Sequence, residues 1–78
     1  MRLVDAIYQR IVNLANSEDK SIYRVAIDGC VPYSTIATMK RSKTVKLSTI
    51  YGVCDGLNIA LKDFFDSSLF DKENISDL

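Results

Sequence analysis

The chain has 78 residues, 47% of them apolar and 26% charged, with ten basic residues against ten acidic ones. A chain this short makes one domain and buries only about 60% of its unfolded surface; its balance is that of a folded protein rather than a disordered tail. No apolar run exceeds three residues, and no signal-like stretch stands near the N-terminus. That excludes a membrane span and points to a cytoplasmic protein.

Histidine is absent. The chain therefore holds no Ser-His-Asp triad, no Cys-His pair and no histidine metal ligand. Cys30 and Cys54 cannot close a tetrahedral zinc site unaided. They read as half-buried free thiols in a reducing compartment, a single bridge between them being the alternative. So small a core can hardly enclose a catalytic pocket. The expectation is no enzyme, no cofactor, no metal and no small-molecule substrate.

In chain order, Val4, Ile7, Ile11 and Leu14 recur at steps of three and four, with Tyr8, Val12 and Ala15 widening the stripe. This spacing predicts a first helix from Leu3 to Asn16, stopping in the polar cluster that follows. Ser21 can cap a short second helix whose inner face is Ile22, Val25 and Ala26. Gly29 is expected to end it, by entering the left-handed region at no steric cost. Pro32 suits the first turn of a third helix, expected from Pro32 to Lys40 and anchored by Ile36 and Met39.

Arg41 to Thr44 reads as a loop. Leu47, Ile50, Tyr51, Cys54 and Leu57 mark a fourth helix by the same spacing, and Asn58 suits its left-handed end. Ile59, Leu61, Phe64 and Phe65 form a last short helical turn that closes the core. Strand signals are absent. The fold class is all-α, a compact domain of five short helices over residues 1–65. An acidic tail follows over 66–78, either a dimerisation element or a frayed end.

The neutral total hides a dipole. From Lys20 to Lys46 six basic residues face Asp28 alone, a net +5, and the remainder carries −5. The basic side could meet a polyanion; the alternative is two solvated faces.

Ser21 to Met39 has the grammar of a helix-turn-helix: a capped short helix, a turn with glycine, an apolar pivot and a second helix with an exposed face. Ser21, Val25-Ala26, Val31 and Ser34-Thr35-Ile36 fall at the required spacing. Arg10-Ile11 and Leu14 precede them; Leu47, Ile50, Leu57-Asn58-Ile59 and Leu61-Lys62-Asp63-Phe64-Phe65 follow. The whole resembles the phage-repressor-like (XRE-type) helix-turn-helix family over residues 3–65. Against that pattern, the family's turn glycine falls at Cys30, so either the turn is shifted or Cys30 sits at positive φ. Pro32 replaces the usual serine cap, and Ile22 stands where the family often has glutamine.

The resemblance implies a lambda-repressor-like domain whose third helix enters the major groove of double-stranded DNA. By position, Tyr33, Ser34 and Thr38 are the base-reading candidates. They offer hydroxyls and one ring rather than the Arg-guanine or Gln-adenine fork, and the ring could touch a thymine methyl. Lys40, Arg41 and Lys43 fall where phosphate contacts are expected, with Lys46 and Arg24 as weaker candidates. Tyr33 could instead pack on the second helix, and the loop cations could be merely solvated. The implied function is a sequence-specific transcriptional regulator, a repressor acting as a homodimer through Phe65, Leu69 and Phe70 with Tyr8 or Val12. The alternative is an interaction module on the same fold, binding a protein partner through Ile22 and Ile27.

Overall fold

In the computed structural model, which describes residues 1–76, five α-helices follow in chain order: α1 (Leu3–Ser17), α2 (Ile22–Asp28), α3 (Tyr33–Ala37), α4 (Leu47–Leu57) and α5 (Leu61–Phe64). Short 3₁₀ turns at Met39–Arg41, Ser68–Phe70 and Lys72–Asn74 complete the secondary structure. No strand occurs among the described residues, and the Cα atoms span 33 × 23 × 19 Å. Asp77 and Leu78, the end of the expected tail, lie outside the described residues.

The apolar stripe of α1 buries Val4, Ile7, Ile11 and Ala15. They meet Val25 and Ala26 of α2, Ile36 of α3, Met39, and Ile50, Val53, Cys54 and Leu57 of α4, with Phe64 of α5 closing the core. Leu47 and Tyr51, expected on the inner face of α4, are instead 60% and 62% exposed. The face pressed on the core is the one centred on Val53 and Leu57; Leu47 and Tyr51 fall outside it. Phe64 is fully buried, whereas Phe65 remains 37% exposed.

Three helices end in one device. Asp19, Cys30 and Asn58 adopt left-handed φ values of 55, 55 and 56°. The next N–H in each case returns to a carbonyl five residues back: Lys20 to Ala15 at 2.9 Å, Val31 to Ala26 at 2.9 Å, Ile59 to Cys54 at 3.0 Å. These are Schellman-type ends, which satisfy carbonyls the helix leaves unpaired. Asn58 takes the role expected of it. Gly29 does not: its φ is −93°, and Cys30 turns the chain. Of the two geometries open at this turn, the structure has the non-glycine residue at positive φ.

The glycines serve a different purpose. A Cβ built on Gly29 would overlap the Gly52 carbonyl oxygen, and one on Gly56 would lie 2.5 Å from the Val25 carbonyl oxygen and 2.8 Å from the Gly29 nitrogen. A Cβ on Gly52 would sit 2.5 Å from a Val31 methyl. All three glycines of the chain thus line the crossing of α2 and α4, which fixes where α2 and the following α3 stand.

Ser21 caps α2 as the sequence predicts, its hydroxyl accepting from the Arg24 N–H at 3.0 Å. The third helix is shorter than expected. It closes at Ala37, and Thr38 (φ −104°, ψ 7°) leads into the 3₁₀ turn. Thr38 Oγ1 donates to the Ser34 carbonyl at 2.6 Å, a back-bond that competes with helix continuation. The 3₁₀ turn is fastened from α1, where Arg2 forks onto Asp5 at 2.9 and 3.0 Å and donates to the Lys40 carbonyl at 2.7 Å. The guanidinium's hydrogen bonding to Asp5 itself holds that carboxyl below its usual range.

Arg10 joins α1 to the far end of the chain, donating to the Phe64 and Asp63 carbonyls at 2.7 and 2.8 Å. Phe70 then packs tilted against Phe64 and edge-on against Phe65, with centroids 6.1 and 5.1 Å away. Phe70 and Tyr8 both pack on the core, so two of the aromatics expected at a dimer contact are largely used within the chain.

Candidate nucleic-acid interface

The α2–α4 crossing leaves α3 on the surface. Only Ile36 of its five residues is buried; Tyr33, Ser34, Thr35 and Ala37 face solvent. Residues 33 and 37 are one turn apart and share a face, so the helix presents a ring and a methyl group along one line, with the Ser34 hydroxyl beside them. Tyr33 also touches α2: its ring meets that of Tyr23 edge-on, centroids 5.4 Å apart at 68°.

Thr35 and Thr38 open onto a cleft of about 480 Å³, whose other walls are Met39, Ser42, Thr44, Val45, Lys46 and Thr49. Five hydroxyl-bearing residues and one lysine therefore line the space between α3 and the start of α4. No side chain caps that end of α4. Its first N–H groups, with the positive end of the helix dipole, lie beside Lys46 and Thr49, a setting that favours an anion.

The sequence-derived cations separate into two groups. Arg24 Nε lies 3.2 Å from Asp28, which Lys20 also engages at 3.1 Å while donating to the Gly56 carbonyl at 3.0 Å. Lys40 leans back over the Tyr8 ring, 5.3 Å from its centroid. Arg24 and Lys40 thus start from internal partners. Arg41, Lys43 and Lys46 are exposed and form no ion pair among the described residues. Lys46 stands in the hydroxyl cleft; Lys43 lies at an adjoining apolar groove of about 280 Å³ walled by Leu3, Val4, Ile7, Val45, Leu47, Ile50 and Phe65. Thr44 and Val45 separate the two hollows.

Among the base-reading candidates, Tyr33 and Ser34 lie side by side on α3, whereas Thr38 sits past its end with its donor already spent on the Ser34 carbonyl. Sequence reasoning missed Tyr23, Ala37 and the hydroxyls of Thr35, Ser42, Thr44 and Thr49. A signal for the hydroxyls was present: serine and threonine are dense from Ser34 to Thr49. Cys30, in the turn, is exposed and Cys54 buried, and both are free thiols. Among the described residues, no helix is long and apolar enough to cross a membrane. No family model, curated protein or solved structure matches the chain.

Proposed function

We propose that this chain is a helix-turn-helix DNA-binding domain of the XRE type, a transcriptional repressor that occupies promoter DNA as a homodimer and needs no cofactor. One observation carries the reading: the exposed face of α3 adjoins a hydroxyl-lined cleft flanked by cations that form no ion pair among the described residues. In this arrangement α3 lies in the major groove, Tyr33 and Ser34 meet base edges, and Lys46, Arg41 and Lys43 neutralise phosphates on either side. Cys30 at φ 55° supports it too, since it occupies the place of the family's turn glycine.

The dimer belongs to the same reading, because two half-sites supply the specificity that one short helix lacks. Leu3, Leu47 and Phe65, all more than a third exposed, border the apolar groove beside Lys43. Asp66 follows Phe65, so a two-fold pairing can set cation against carboxylate while covering apolar surface.

A second reading, a protein-interaction module, draws on the exposure of Tyr23, Ile27 and Tyr33 at 57, 47 and 48%. Mobility shifts of genomic fragments titrated with salt separate the two. The DNA reading expects a discrete shift of a few fragments that weakens steeply with salt; no shift at low salt overturns it.

A further inference from the structure

We infer that α3 reads thymine methyl groups, and that Tyr23, on the neighbouring helix, is the positioning residue that aims the Tyr33 ring at them. This rests on the DNA-binding reading above.

The chemistry of α3 leaves few alternatives. Its five residues, Tyr33 to Ala37, include no charged and no amide side chain. The forks that identify guanine and adenine in the major groove are therefore missing. Thr38 cannot replace them as a donor, because its hydroxyl hydrogen is committed to the Ser34 carbonyl. What α3 offers outward is the Tyr33 ring, the Ala37 methyl and two small hydroxyls. Tyr33 and Ala37 lie about 6 Å apart along the helix axis, four residues at 1.5 Å each. That spans about two base steps. The thymine C5-methyl is the apolar group that major-groove edges present, and apolar side chains recognise it by contact.

A phenol on a surface helix would ordinarily sample several rotamers, and freezing it on binding weakens affinity. Here the ring meets Tyr23 edge-on at 5.4 Å and 68°, an orientation favoured by aromatic quadrupoles. Tyr23 is 57% exposed and lies outside the core and the residues packed on it, so core packing does not account for this placement. Its geometric consequence is a ring at position 33 set before DNA arrives.

The test uses the full chain and duplexes selected from a random library. In the best-bound duplex, thymines are replaced singly by uracil, which removes only the methyl group. One or two positions per half-site are expected to lose about four-fold in affinity, the worth of one buried methyl. Tyr23→Phe keeps the ring contact and should keep the thymine-over-uracil ratio. Tyr23→Ala, checked for an unchanged melting curve, should bring that ratio to near one at the position facing Tyr33 while leaving the salt slope unchanged. If uracil binds as well as thymine everywhere in a selected site, methyl reading is overturned and the DNA-binding reading stands. A full ratio in Tyr23→Ala overturns the role of Tyr23. If selection enriches no duplex at all, the DNA-binding reading itself falls, and this inference with it.

Discussion

Gly29, just past the end of α2, lies against the Gly52 carbonyl of α4 so closely that no side chain fits between them. Two glycines inside α4 cost that helix about 1 kcal/mol each relative to alanine. They are tolerated because α2 and α4 come into backbone contact there. Restoring helix propensity should therefore destabilise the protein. For Gly56→Ala, whose Cβ would meet backbone atoms at 2.5 and 2.8 Å, a loss of about 3 kcal/mol is expected in urea unfolding, and for Gly29→Ala at least as much. Gly52→Ala meets a Val31 methyl first, and a side chain can move, so its loss should be smaller. A stabilised Gly56→Ala protein would contradict the crossing geometry.

The turn residue next door should respond in the opposite direction. Cys30 holds φ 55°, which disfavours any residue with a Cβ by about 1–2 kcal/mol. Part of that gain is offset by the greater freedom of glycine in the unfolded chain. Cys30→Gly is expected to raise stability by about 0.5–1 kcal/mol and the melting temperature by roughly 2–8 °C. Cys30→Val, β-branched in the left-handed region, should lower both.

These two neighbours show what the sequence made legible. Apolar spacing placed α1 and α4, although Leu47 and Tyr51 carry that spacing onto an exposed face, and Ser21 and Pro32 marked the starts of α2 and α3. Ser21 was readable as a cap because its hydroxyl acts locally, and Asn58 because it tolerates the left-handed backbone. Gly29 was not readable in the same way. Ending a helix favours a missing Cβ and admitting a neighbouring helix demands one, and only the partner, Gly52, distinguishes the two. At the candidate interface, Tyr33 and Ser34 were legible from position on α3. Tyr23 was not, since its contact is made across the turn; nor was the internal use of Arg24 and Lys40, since Asp28 and Tyr8 reach them through the fold.

The cysteines differ enough for chemistry to tell them apart. Burial pushes the Cys54 thiol above its ordinary value of 9.0. A group whose folded pKa is raised contributes stability below its unfolded pKa and loses it as pH climbs through the folded one. Cys54→Ala should cost on the order of 1 kcal/mol at pH 7. That gap between wild type and variant should narrow as pH rises beyond 9. In native protein at pH 8, a thiol reagent should label exposed Cys30 at once and Cys54 only at the rate of unfolding. Equal labelling would contradict the buried position of Cys54.

Assembly can be tested at a residue whose removal leaves the core intact. Leu47 is 60% exposed at the edge of the apolar groove, so Leu47→Asp should fold with little loss of stability. If the groove is the dimer surface, sedimentation at micromolar concentration should show dimer for wild type and monomer for Leu47→Asp. Operator affinity should fall with it. A wild-type chain that stays monomeric even on its operator rules this surface out.

The sharpest separation of the two functional readings comes from residues that differ in internal commitment. Arg41, Lys43 and Lys46 form no ion pair among the described residues, so under the DNA-binding reading each alanine variant should weaken binding to all duplexes alike and lower the salt slope by about one unit. Arg24 and Lys40 are already held by Asp28 and Tyr8, and their alanine variants should move the slope less. Under the same reading, Ser34→Ala removes a hydroxyl proposed to meet a base edge and should cost about 1–3 kcal/mol on the true operator, with nonspecific binding and the slope nearly unchanged. Thr38→Ala should cost less specificity than Ser34→Ala. Its hydroxyl serves the Ser34 carbonyl, and its loss should appear instead as about 1 kcal/mol of stability. An interaction module reverses this order: the polar variants would be silent, and Ile22→Ala or Ile27→Ala would abolish partner capture. Ile27 is 47% exposed, so its replacement leaves the core untouched and a loss of function there cannot be blamed on unfolding.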